Sequence, residues 1–206
     1  MGGAMSSITI SGDTSGSIIL QAPAISGSTT LTLPTTSGTV LTSASTTMPA
    51  GSVNQAAIGT NVAGTGPAFS VRNNANQTLN NNTYYKVAFQ VEEFDTNNNF
   101  DNTTNYRFTP TVAGYYQINA QAKVENNSNA GTLLCTIYKN GTDYKEAQNT
   151  IRAGSNTSAG SSAVVYFNGS TDYVEVYVLQ STGATATLIS NGTLATWFNG
   201  AMVRGA

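Results

Sequence analysis

The stretch Glu92-Glu93-Phe94-Asp95-Thr96-Asn97-Asn98-Asn99-Phe100-Asp101-Asn102 is the densest supply of oxygen ligands in the sequence. Side chains of this kind suit a hard cation such as calcium. The spacing Asp95-x-Asn97-x-Asn99 begins like a calcium loop. Phe100, however, stands where that loop needs Gly for its sharp turn, and Tyr106 stands where a bidentate Glu should close it. An EF-hand is excluded; an irregular site around Asp95 and Asp101 remains as the residual metal candidate, and no cofactor is expected. Glycoside hydrolysis asks for two carboxylates at a set separation. The stock is Glu92, Glu93, Asp95, Asp101, Asp143, Glu146, Asp172 and Glu175, and no spacing among them marks an acid with its nucleophile. The repeating β-helix pattern of tailspike depolymerases is also absent, so no catalytic residue is expected and the protein reads as a non-enzyme. Cys135, flanked by Leu134 and Ile137, reads as a small buried hydrophobe and not as a nucleophile. Eight Asn-x-Ser/Thr triplets occur, as expected in a chain so rich in Asn and Thr, and carry no weight.

What the chain lacks narrows the chemistry further. With no His among 206 residues there is no Ser-His-Asp triad, no imidazole shuttle and no His-liganded zinc. One Cys allows no intrachain disulfide. A net charge of −2 provides no electrostatic footprint for nucleic acid or an anionic membrane. No run of apolar residues is long enough to span a bilayer, and Met1-Gly2-Gly3-Ala4-Met5-Ser6-Ser7 does not open like a secretory signal. Thr (31), Asn (23), Ser (20) and Gly (20) dominate, a composition suited to strands and turns.

Positioning falls to two physically different parts. All 18 aromatic residues lie between Phe69 and Phe198, and Asp13 is the only charged side chain before Arg72. Residues 1–42 contain short alternating runs at Ile8-Thr9-Ile10, Ser17-Ile18-Ile19-Leu20, Thr30-Leu31-Thr32-Leu33 and Thr39-Val40-Leu41, separated by Gly- and Ser-rich turns. Such runs are too short to stand alone, and the expectation is a β shaft or anchor completed by neighbouring chains. Residues 43–68 read as a linker. Residues 69–206 hold ten candidate strands, at 69–72, 84–91, 106–109, 115–124, 132–139, 144–150, 162–167, 173–180, 185–190 and 194–203. Ten short strands with turn residues between them imply an all-β sandwich or jelly roll. In 115–124 one face is Tyr116, Ile118, Ala120, Ala122 and Val124; in 173–180 both faces are mostly apolar, which calls for cover on each side, the second expected from another subunit. Asn140-Gly141, Asn168-Gly169 and Asn191-Gly192 read as tight turns, and Asn199-Gly200, inside an apolar run, as a bulge or a close approach of backbones.

The pattern Phe89-x5-Asp95-x4-Phe100, followed by Phe108-x5-Gly114-x-Tyr116, resembles the globular head of complement C1q and the tumour necrosis factor-like trimers. The gap from Phe100 to Phe108 is one residue longer than in that family, and Ile118 and Ala120 occupy two of its aromatic positions. Later blocks appear in the family's order: 134–141 with its Lys-Asn-Gly turn, 172–178, and the closing strand with Trp197 and Gly200. The resemblance implies a ten-stranded jelly roll over 69–206 that assembles as a homotrimer. Phe89, Asp95, Phe100, Phe108, Gly114, Tyr116, Trp197 and Gly200 would be positions that specify the fold and carry no chemistry. The N-terminal run Gly12-Asp13-Thr14-Ser15-Gly16-Ser17-Ile18-Ile19-Leu20-Gln21-Ala22-Pro23, with Thr30 to Pro34 and Gly38 to Leu41, is similar to a segment of tailed-bacteriophage virion proteins. Together the two resemblances imply a virion-surface protein, assembled in the host cytoplasm. It would be a trimeric fibre or spike, held to other virion proteins through residues 1–68, with its head exposed to a host-surface glycan or protein. A capsid decoration or cement trimer is the alternative. A cellular or spore-surface module is the third reading, disfavoured because no Gly-X-Y repeat is present.

Overall fold

A computed structural model of the chain describes residues 7–11, 17–21, 66–125, 128–192 and 194–206. The expected strands at 30–33 and 39–41, and most of the 43–68 linker, lie outside the described residues. Fifteen strands and no helix occur among those described. The chain divides into two compact units, Met1–Met48 and Pro49–Ala206. In the first, β1 (Ser7–Ser11) and β2 (Ser17–Gln21) pair antiparallel, from Ser7 opposite Gln21 to Ser11 opposite Ser17.

The second unit is a two-sheet sandwich. Its strands are β3 (Ala68–Arg72), β4 (Gln77–Leu79), β5 (Tyr85–Lys86), β6 (Val91–Asp95), β7 (Phe100–Asp101), β8 (Arg107–Phe108), β9 (Gly114–Val124), β10 (Gly131–Lys139), β11 (Thr142–Ile151), β12 (Thr157–Phe167), β13 (Val174–Gln180), β14 (Ala186–Leu188) and β15 (Trp197–Gly205). The six-stranded sheet runs β11-β10-β13-β8-β7, with β5 also on β13. The seven-stranded sheet runs β4-β14-β9-β15-β3-β6, with β12 on the free side of β9. Non-consecutive neighbours in both sheets make this a jelly roll and not a meander.

Period-two alternation explains the core. In β9 Tyr116, Ile118, Ala120, Ala122 and Val124 point inward, and in β13 Val174, Val176 and Val178 do so, all of them buried. Between the sheets an aromatic cluster forms. The Phe69 ring lies 4.1 Å from Phe108 and 4.9 Å from Phe198, and Phe108 meets Tyr116 at 5.8 Å. The edge-on and stacked arrangements add to area burial. Inside this core the Tyr116 hydroxyl donates to the Val112 carbonyl at 2.8 Å, and burial pushes its phenol up to about 12.

The jelly roll expected with ten strands is present, divided more finely. The segment 84–91, read from its sequence as one strand, belongs to both sheets: β5 pairs with β13, and β6 pairs with β3. Val87 and Phe89, between them, are buried as the chain crosses the core. Gln77 steadies the crossing, donating to the Lys86 carbonyl and accepting from the Ala88 amide. Apolar alternation continues through such a crossing, which is why it reads as one strand. Conversely, 92–95, read as loop from its carboxylates, pairs along β3 at the sheet edge. A strand in that place needs little apolar surface, and Phe94 is indeed exposed.

Candidate functional site

The carboxylates singled out above as cation ligands are engaged by their own loops. Asp95 Oδ2 accepts from the Phe100 amide at 2.7 Å and Oδ1 from the Asn97 amide at 3.3 Å. Asp101 Oδ1 accepts from the amides of Thr103 and Thr104 and from the Thr103 hydroxyl; Oδ2 accepts from the amide and side chain of Asn105. The Thr104 amide leads the donors that hold the Asp101 carboxyl far below the usual carboxylate range. These two side chains organise turns. Among the described residues no group of three or more acidic or Cys side chains is placed to hold a metal ion.

Three more of the acidic candidates are committed to partners within the fold. Glu175, almost fully buried, pairs with Lys86. Asp172 pairs with Lys139 at 3.1 Å and accepts from Asn140 Nδ2 at 2.8 Å, contacts that lower its carboxyl. Glu146 Oε2 accepts from the Tyr84 and Thr136 hydroxyls at 2.9 and 3.1 Å. Cys135 is buried in the core, and burial pushes its thiol up to about 12.

The positions in the head motif are placed as follows. Phe89, Phe100, Phe108 and Tyr116 are buried in one cluster. Gly114 and Gly200 sit where backbones approach closely: a Cβ on Gly200 would lie 2.6 Å from Ile118 Cδ1 and 2.9 Å from the Gln117 carbonyl oxygen. Trp197, half-buried at the start of β15, lies opposite Gln121.

What these elements leave exposed is a face. On the outward side of the seven-stranded sheet, cross-strand register sets Ser162, Asn119, Asn199 and Ser70 in one row. The Ser162 hydroxyl donates to Asn119 Oδ1 at 2.7 Å, Asn119 Nδ2 donates to Asn199 Oδ1 at 3.1 Å, and Gln117 Nε2 donates to Ser162 Oγ at 2.8 Å. At the far end Ser70 Oγ donates to Glu93 at 2.7 Å. Around this fixed polar row stand Phe94, Tyr115, Val164, Tyr166 and Val203, five of the eight exposed large hydrophobics among the described residues. Tyr115 and Tyr166 meet ring to ring at 5.4 Å. Shallow hollows flank the row, one by Phe94 and Ala201 and the other by Trp197 and Gly160. The row and the exposed apolar side chains around it make one continuous surface on this side of the sheet. Alternation could have found Tyr115 and Tyr166; it could not show that Phe94 and Val203 join them, because they come from an edge strand and a bulge.

No family model matches the chain, and no curated protein matches it. Among solved structures it is similar to murine APRIL, with a TM-score of 0.50 at 9% identity over 66% of this chain and 98% of that one. The fold is the C1q and TNF type of jelly roll. The globular domain of zebrafish complement 1qA is similar at 18% identity over 68% of this chain and all of that one, with a TM-score of 0.46. Eiger TNF from S. frugiperda is similar at 9% identity, covering 68% and 93%, with a TM-score of 0.48. At these identities the likeness is one of fold.

Proposed function

We propose that this chain is a non-enzymatic structural protein of a tailed-bacteriophage particle. Its C1q/TNF-type head assembles as a homotrimer through the outward face of the seven-stranded sheet. The observation that carries the reading is that face, where five exposed large hydrophobics surround a hydrogen-bonded polar row. A monomer would leave them in water; a second and third copy would cover them. The virion setting is supported by the N-terminal run from Gly12 to Pro23 and by the want of aromatic residues before Phe69. Residues 1–68 then hold the protein to other virion components, and the head faces the host surface as a fibre or spike. Catalysis gains no support from Asp95, Asp101, Glu146, Asp172 and Glu175, whose oxygens are taken up in ion pairs, turns and side-chain hydrogen bonds.

Light scattering on the purified full chain is expected to return three times the chain mass of 21.4 kDa. A monomer at micromolar concentration overturns the assembly. Labelled particles imaged by electron microscopy test the setting: density on the tail or protruding spikes fits a fibre or spike. Density flush on the shell identifies a decoration trimer instead.

A further inference from the structure

Tyrosine and phenylalanine are segregated in this head. Six of the seven Phe are buried, whereas of the ten Tyr only Tyr116 is fully so. Tyr84, Tyr138, Tyr173 and Tyr177 gather on the outward face of the six-stranded sheet, the side opposite the assembly face. Inward Cys135 and Ile137 leave Thr136 and Tyr138 outward, and inward Val174, Val176 and Val178 leave Glu175 and Tyr177 outward. The paired apolar faces of β13 therefore have part of their cover within the same chain. Tyr138 stacks on Tyr177 at 4.2 Å, Tyr84 lies 6.1 Å from Tyr138, Lys86 Nζ lies 5.7 Å from the Tyr177 ring, and Arg107 lies 4.3 Å from that of Tyr173.

Three properties of this patch define its ligand. The rings are held in place, by stacking and by the Tyr84 hydroxyl bond to Glu146, so binding costs little side-chain entropy. Between and beside them lie polar groups that a ligand can reach: the tyrosine hydroxyls, the exposed Glu146 carboxylate and the half-buried Lys86 ammonium, while Thr136 and Glu175 lie buried beneath. Lys86 and Arg107 stand against Glu146, Glu175 and Asp143, which lies opposite Tyr138, so the patch carries no excess positive charge for an anionic polymer. An apolar protein surface would strip water from these polar groups without replacing their bonds. A sugar ring replaces them, setting its C–H face on a Tyr ring and its hydroxyls on the acceptors.

We propose that this tyrosine face binds a neutral, hydroxyl-rich glycan. The inference deepens the host-surface reading and rests on it only for the glycan's source, since binding by the purified chain and placement on a particle are read in separate experiments. The test applies the labelled full-length trimer to an array of neutral oligosaccharides of glucose, mannose, galactose and N-acetylhexosamines, alongside polygalacturonic acid and heparin. Binding to a neutral member is expected, and the paired substitutions Tyr138→Ala and Tyr177→Ala should weaken it about tenfold or more while oligomeric state is unchanged. Should that variant misfold, Tyr138→Phe with Tyr177→Phe keeps the rings and removes the hydroxyls, and about a threefold loss is expected. Three outcomes overturn the proposal: no neutral glycan bound, preference for the acidic polymers, or affinity untouched by the substitutions in a folded protein. A change of oligomeric state in a folded variant also overturns it, by marking this face as a contact between copies.

Discussion

Asp101 shows how much a single side chain does in this fold, since its two oxygens take five hydrogen bonds and fix the turn between β7 and β8. Replacement by Ala leaves those amides to water and is expected to cost about 1–2 kcal/mol. The same bonds give the protein an acid-sensitive element. A carboxyl whose folded value is depressed stabilises the fold above its unfolded value, and that contribution is lost as pH falls below about 4. Urea midpoints measured between pH 5 and 2 should therefore fall more steeply for the wild type than for Asp101→Asn; identical slopes would refute the role. Gly200 is constrained by space and not by φ, because any Cβ would press on Ile118, the Gln117 carbonyl and Phe69. Gly200→Val is expected to destabilise by about 1–3 kcal/mol, read as a lower midpoint of thermal unfolding.

Turns and strands show which parts of the sequence carry their own explanation. Between β10 and β11, Asn140 and Gly141 have φ of 53° and 80°, and Lys139 pairs with Thr142, the signature of a two-residue type I′ turn. Asn140 also receives the Tyr173 amide on its side-chain oxygen, tying this turn to the start of β13. Gly141→Ala should cost about 1 kcal/mol through its backbone alone, since the nearest atom to a new Cβ, the Tyr173 hydroxyl, is at an ordinary 3.4 Å. A guanidinium midpoint equal to that of the wild type would contradict this. Such turns were legible, as were the long strands β9, β10 and β13, because side-chain alternation over seven or more residues leaves a period that chance seldom imitates. Three features were not legible. β4 and β7 are too short to show a period. The division of 84–91 between sheets leaves alternation intact, so sequence spacing cannot report it. The proposed assembly face draws on β3, β6, β9, β12 and β15, whose neighbours follow from topology and not from spacing.

At the scale of the whole molecule, the sandwich presents two unlike faces, one apolar around a polar row and one ringed with tyrosine hydroxyls. If the first joins copies, a charge placed there should act on assembly and spare the fold. Val164→Glu, at a position 53% exposed, is expected to give a monomer with an unchanged β-sheet spectrum, seen by light scattering and circular dichroism. A persistent trimer would move the interface elsewhere. The position of β15 carries a different consequence, for how the molecule is made. The last strand of the sandwich lies between β3 and β9, pairing with Phe69 on one side and Ile118 on the other through the same residue, Gly200. Ribosomes add about 5–20 residues per second, so β3 waits on the order of ten seconds for the strand that seats it. Nascent chains stalled before Trp197 should be cut freely by protease within β3 and β9, and resist once the full chain is released. Until then the half-built sheet is a slot open on both sides, and polysomes crowd identical slots together. Synthesis rate and chaperone cover thus bear on the yield of this protein as directly as its equilibrium stability does.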